Sequence, residues 1–202
     1  EGLGILWLGV QQQQRRMSYS GTALLVLALG SAIWAQMDGV TSLSLLLIFA
    51  VLSLCWLAAA WLWQKIARPG SWALLAGGLL FWLVALLGAS QLFLKQELSV
   101  LGGVLALTAA SAWGWRQSAA RLAWRELNAS KWLLWPVMLL MVLYQIWQQQ
   151  ILAAGWANLA WAIALPAALM MLRRDEDKLL PRIAMGLHLS LLWMILLAMA
   201  AE

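Results

Sequence analysis

The chain has 202 residues, of which 64% are hydrophobic and 10% charged, and its mean hydropathy is +0.82. Soluble domains carry roughly 25% charged residues, so a soluble core is excluded. The formal net charge of +5 sits in gaps between long apolar runs, which makes it a matter of membrane topology and not a nucleic-acid footprint.

The first apolar stretch, Gly2 to Val10, falls short of the ~20 residues a helix needs to cross a ~30 Å hydrocarbon core. It reads as the tail of a helix that begins upstream, so the chain is expected to be a piece of a longer protein. It does not read as a signal peptide, which would place positive charge before the apolar core. The Gln11 to Gln14 tract then reads as the polar end of this helix. Six fuller segments follow, near Ser20 to Met37, Ser42 to Trp63, Trp72 to Leu94, Leu98 to Trp115, Trp132 to Trp147 and Gly155 to Leu172, and another runs from Ile183 to Ala200. The expected fold is all-α: a polytopic transmembrane helix bundle of about seven spanning helices plus a partial N-terminal helix, forming a single domain over 1–202. Short connections make consecutive helices antiparallel neighbours. No internal repeat stands out, so an inverted-repeat transporter has no footing.

All but one of the 13 lysines and arginines lie in alternate gaps. Arg15 and Arg16, Lys65 and Arg68, then Arg116, Arg121, Arg125 and Lys131, and finally Arg173, Arg174, Lys178 and Arg182 fall on one side. Asp38, Lys95 with Glu97, and an uncharged gap between Trp147 and Trp156 fall on the other. Cation-rich short loops stay cytoplasmic, so the loops near 11–19, 64–71, 116–131 and 173–182 are expected inside a bacterial inner membrane. Many of the 16 tryptophans, among them Trp61, Trp63, Trp72, Trp113, Trp132, Trp135 and Trp147, fall near segment ends, where indole favours the headgroup level. Trp34, Trp56, Trp82, Trp161 and Trp193 lie deeper, where they line a pocket or face lipid.

Gly102, Ala106, Ala110 and Gly114 recur at four-residue spacing, as do Ala160, Ala164 and Ala168, while the last segment offers Gly186 and Ser190. Small residues on one face let backbones approach, which places these helices at the expected bundle centre. Over 117–130, Ala120, Ala123, Trp124 and Leu127 share one face and Gln117, Arg121 and Arg125 another. Two readings fit: an amphipathic helix on the inner surface, with Arg116, Arg121 and Arg125 meeting anionic headgroups at about 1 kcal/mol each, or a solvated extension of the preceding helix. Asn128, Ala129 and Ser130 spell a glycosylation sequon, which the expected topology puts inside, where it goes unused.

No charged side chain lies deep in a segment, which removes the marks of proton relays, voltage sensors and ion-coupled carriers. His188, the only histidine, lies about 7.5 Å along its helix from Ile183. Alone it cannot make a zinc site, and a structural hydrogen bond is its ordinary role. Asp175, Glu176 and Asp177 form the only acidic cluster, flanked by Arg173, Arg174, Lys178 and Arg182. Adjacent carboxylates suit Mg²⁺ and a diphosphate, as in membrane prenyltransferases, but those carry two aspartate-rich loops, so local charge pairing fits better. Cys55 stands alone inside an apolar run, which rules out an intrachain disulfide. Neither a catalytic triad nor a phosphate loop is spelled, and no metal or cofactor is expected. A softer constellation is Gln145 and Asn158, two amides at one level of adjacent segments, with Pro166 interrupting the second and freeing the Ala162 carbonyl. The amides either bond each other between helices or line an external vestibule.

EGLGILWLGVQQQQRRMSYSG, RLAWRELNAS and RRDEDKLLPRIAMGLHLSLLWMILLAMAAE resemble the C-terminal part of the large polytopic bacterial membrane proteins grouped as domain of unknown function 2339. The likeness lies in helices, loop charges and Trp positions and covers nearly the whole chain. It implies a long helical array in the inner membrane and carries no established activity. The leading expectation is a non-catalytic membrane segment serving envelope structure, assembly or lipid handling, with membrane lipids, other helices of the longer chain and protein partners as contacts. Its rivals are a carrier or channel for an uncharged or amphipathic solute at Gln145, Asn158 and Pro166, and a transferase using Asp175 to Asp177. A hydrated cavity marks the carrier and bound metal marks the transferase.

Overall fold

Helix boundaries follow local chemistry. The glutamine tract closes the first helix, α1 (Gly2–Gln11): Gln13 takes φ 55° and the Gln14 N–H donates to the Gly9 carbonyl at 2.9 Å, the closure of a Schellman motif. α2 (Arg15–Met37) begins at once. Thr41 and Ser44 open α3 (Ser42–Trp63) with a reciprocal capping box, each side chain accepting from the other's backbone N–H at 3.1 Å. Pro69 in the first turn of α4 (Arg68–Phe93) occupies a position where no backbone donor is needed.

The protein is described by a computed structural model over 1–37, 39, 41–95, 97–147 and 156–173, with 186, 189, 190 and 193, and by backbone alone at 36, 37, 97, 98, 125, 156–158, 172 and 173. The described helices belong to two compact units, Glu1–Leu92 and Phe93–Glu202. No strand occurs among the described residues.

In the first unit α1 lies against α2 at glycines. A Cβ on Gly21 would sit 2.6 Å from the Leu6 nitrogen, and one on Gly9 would sit 2.7 Å from the Ser18 nitrogen, so any side chain there drives backbone from backbone. α3 and α4 approach as closely: a Cβ on Gly88 would meet the Leu46 nitrogen at 2.7 Å. Two buried hydroxyls bridge the same pair, Ser53 donating to the Gly78 carbonyl at 2.7 Å and Ser71 to the Ala60 carbonyl at 2.8 Å. Phe49, Leu52 and Ala85 form the core between them, with Trp56 edge-on to Phe81 at 5.0 Å.

The second unit holds α5 (Glu97–Leu122), the short α6 (Arg125–Asn128), a 3-10 turn (Ala129–Leu133), α7 (Leu134–Trp147) and α8 (Trp156–Arg173). Among the described residues of this unit, α5 and α8 pack together most extensively. Ala160, Ala164 and Ala168 are buried in that unit's core, as their spacing predicts. The α5 stripe is a correction. Only its first half is covered: Gly102 is buried and Ala106 packs against the core beside Leu105, Ala109 and Ala112, while Ala110 is exposed and a Cβ on Gly114 meets nothing within 4 Å. Alanine-rich α5 carries small residues on more than one face, and it turns toward α8 the face that also offers Leu105 for burial.

Of the two readings of 117–130, the extension of the preceding helix holds as far as Leu122. α5 runs to Leu122, Ala123 turns the chain at φ 49°, and the Trp124 N–H closes back on the Ala119 carbonyl at 3.0 Å. Trp124 and Leu127 are then buried, and this burial overrides the surface helix that the charge pattern suggests.

Four described helical stretches are long and apolar enough to cross a membrane: Arg15–Ala35, Ser42–Trp63, Arg68–Phe93 and Glu126–Trp147. α1 and the Leu159–Met171 part of α8 are apolar but shorter, and α5 has the length with Gly, Ser and Thr interspersed. The expected segment from Ile183 lies almost wholly outside the described residues. Large apolar side chains point outward from the spans, as at Leu43, Leu47, Val51 and Leu54 along one face of α3.

Gly21→Leu is expected to lift α1 from α2 and to cost about 1–3 kcal/mol by overpacking. Gly30→Leu, at a site open to 4 Å, is the matched control, and thermal unfolding in detergent compares them. In the second unit, Ala109→Leu is expected to carry a similar cost, while Ala110→Leu stays within about 0.5 kcal/mol of the parent. Equal melting shifts for that pair would show that the buried face of α5 is misassigned.

Candidate functional site

Two places combine polar chemistry with a defined setting, one in each unit. In the second unit the buried stripe of α7 runs Leu134, Trp135, Met138, Met141, Val142 and Gln145, one face repeating every three or four residues. Gln145 ends that stripe, one turn beyond Met141 and Val142, which lie in the same core as Ala160 and Trp161. It is 3% exposed, and neither its amide oxygen nor its amide nitrogen has a hydrogen-bond partner. The buried indole N–H groups of Trp135 and Trp161 also lack partners in this core. A buried amide left unmade costs about 1–3 kcal/mol, so this end of the core is suited to a group offering both a donor and an acceptor.

The other members of the expected constellation divide. Pro166 lies within α8 but on its exposed face, together with Ile163 and Met170, while Ala164, Ala168 and Met171 of the same helix are buried. Pro166 is thus on the exposed face of α8, while Gln145 is buried. The reason is helical phase: Pro166 falls half a turn from Ala164 and Ala168. The Asn158 side chain lies outside the described residues.

Arg116 is half-buried and Arg121 exposed at the end of α5; the Arg125 side chain lies outside the described residues. His188, Asp175, Glu176 and Asp177 lie outside them as well. Among the described residues no three His, Cys, Asp or Glu side chains gather as metal ligands. Lys131 was grouped by sequence with solvated loop cations, but it is 3% exposed and its ammonium lies 5.0 Å from the Trp132 ring centre. The adjacent Trp132 was the one available signal of that setting.

In the first unit the decisive side chain is Trp63. Expected in an interfacial belt, it is instead 7% exposed. Its indole N–H donates to Thr22 Oγ1 at 2.9 Å, its ring meets Tyr19 edge-on at 5.5 Å, and a Cβ on Gly70 would fall 2.5 Å from it. Trp135 likewise leaves the expected belt and is buried, 5.1 Å from the half-buried Trp132. Trp61, Trp72, Trp113 and Trp147 stay exposed. Of the deeper group, Trp34 and Trp193 are exposed and Trp161 is buried. An open apolar groove of about 640 Å³ runs between α1, α2 and α3, lined by Leu25, Ala32, Leu47, Val51, Leu52 and Cys55.

Comparison with protein-family models, with curated proteins and with solved structures finds no match for this chain.

Replacing the Gln145 amide with an isosteric apolar side chain, Gln145→Leu, is expected to raise stability by about 1–2 kcal/mol, because it removes a buried group that has no partner. A lower melting temperature in detergent would mean that the amide is bonded within the folded chain.

Proposed function

We propose that this chain is a non-catalytic helical segment of a bacterial inner-membrane protein, serving envelope structure, assembly or lipid handling. One observation carries the reading: three buried polar side chains in the first unit join helices. Ser53, Ser71 and Trp63 each donate to a neighbouring helix. Such bonds between membrane helices contribute about 0.6–2 kcal/mol each. Three of them across α2, α3 and α4 favour a fixed support. The apolar groove supports the same reading, since in a bilayer it is a place for acyl chains. We further propose about seven spans in the whole segment, with 11–19, 64–71, 116–131 and 173–182 cytoplasmic. The cation distribution supports that orientation.

A second reading, a carrier or channel for an uncharged or amphipathic solute, is favoured by the Gln145 amide alone. The carrier parts from the supporting role at Gln145, and a transferase parts from it at the acidic loop. Under the supporting role, changing Asp175, Glu176 and Asp177 together to Asn leaves the cellular activity of the parent protein within about two-fold, because exposed pairs contribute only ~0–1 kcal/mol. Loss of activity with assembly intact would instead make the segment a transferase. Loss confined to Gln145→Leu, with stability raised, would make it a carrier.

A further inference from the structure

We propose that the end of the first unit where α2 starts and α3 stops is a seat for anionic phospholipid headgroups, built by Arg15, Arg16, Lys65 and Arg68. It rests on the membrane-spanning reading above and adds a defined lipid site to it. The four cations come from two separate stretches of sequence, and Trp63 is what gathers them. Its bond to Thr22 and its edge contact with Tyr19 hold the first turns of α2 against the last turn of α3. Gly70, pressed on the same ring, and the Ser71 bond to Ala60 hold the first turn of α4 there too. Arg15 and Arg16 precede Tyr19 by about one turn, Lys65 follows Trp63 by two residues, and Arg68 precedes Gly70 by two. All four cations are exposed, and neither 11–19 nor 64–71 contains an acidic residue.

The surroundings point to lipid as the occupant. Tyr19, Trp61 and Trp72 are 58%, 41% and 47% exposed at this same end, with Lys65 Nζ 5.7 Å from the Trp61 ring centre. Amphipathic rings of this kind sit at headgroup depth, with their apolar faces among acyl chains. Rings beside cations also suit stacked nucleic-acid bases, but these three lie at the ends of the apolar stretches Arg15–Ala35, Ser42–Trp63 and Arg68–Phe93, which puts them at headgroup depth. A phosphodiester headgroup joined to acyl chains uses both cations and rings.

The test is lipid retention. The full chain is reconstituted in vesicles of phosphatidylcholine and phosphatidylglycerol in equal amounts, extracted in mild detergent, and its retained lipids are measured. Phosphatidylglycerol is expected to be enriched, and changing Arg15, Arg16, Lys65 and Arg68 together to Gln is expected to lower that enrichment by about ten-fold or more. Arg68→Gln alone lowers it by a few-fold, whereas Lys95→Gln, equal in charge but beyond the far end of α4, leaves it unchanged. Trp63→Phe, which keeps every charge but loses the bond to Thr22, lowers it as well. Unchanged enrichment in the fourfold variant, or an equal loss in Lys95→Gln, overturns the seat. So does binding of an acidic peptide in preference to the lipid. Alkaline carbonate extraction separates the two claims: release of the wild-type chain from vesicles sinks the membrane-spanning reading, while a retained chain without lipid preference sinks only this proposal.

Discussion

When the faces that helices turn outward are as apolar as the faces they bury, hydrophobicity no longer decides which faces meet. That constraint governs both units. Large apolar side chains such as Leu27, Trp34, Leu80 and Leu140 are exposed, so burying another leucine gives little preference for one helix orientation over another in a bilayer. Close approach and hydrogen bonds must choose instead. The Gly9 and Gly21 contacts seat α1 on α2, the Gly88 contact and two serine bonds seat α4 on α3, and Trp63 fixes the level of three helices at once. In the second unit the same role falls to the alanines of α5 and α8, which place helix against helix.

How far the sequence could be read follows from that constraint. Run lengths depend only on composition along the chain, and the segments expected at Ser42 to Trp63 and Trp132 to Trp147 match α3 and α7 to within two residues. Rotation about a helix axis depends on the partner, which sequence does not name. Ala160, Ala164 and Ala168 were legible because Leu159, Ile163 and Leu169 mark the opposite face. On α5 the rows through Ala106 and Ala109 both carry small residues, and nothing local separates them. The α5 corner was hidden for a related reason. Charge spacing fits a surface helix and an extension of α5 equally; α5 runs on to Leu122, and the chain then turns at Ala123, a non-glycine residue in the left-handed region, with Trp124 and Leu127 buried beyond it.

Tryptophan was the residue type read least well. Position near a segment end implies a wet interface, and for Trp61, Trp72 and Trp147 exposure agrees with that. Trp63 and Trp135 occupy equivalent sequence positions and are buried, because the helix end that carries them is covered by other helices of the same unit. An indole has enough apolar area to fill such a space, and its N–H is satisfied only if a hydroxyl lies opposite. Thr22 supplies one to Trp63; no described group supplies one to Trp135.

The candidate site in the second unit turns on the same accounting of donors and acceptors. Hydroxyls within these helices can bond back to their own chain, as Ser90 does to the Leu86 carbonyl at 2.9 Å and Thr108 to the Val104 carbonyl at 2.7 Å. They are therefore tolerated in an apolar interior without naming a function. Gln145 has no such bond. Its amide carries two donors and an acceptor on a longer arm, and both ends are buried without partners on a stripe otherwise made of Leu, Trp, Met and Val. A leucine would complete that stripe at no such cost. Among the described polar residues that the sequence points to, Gln145 is thus the one whose burial is not explained by packing, and the solute-binding reading rests on it more than on the exposed Pro166.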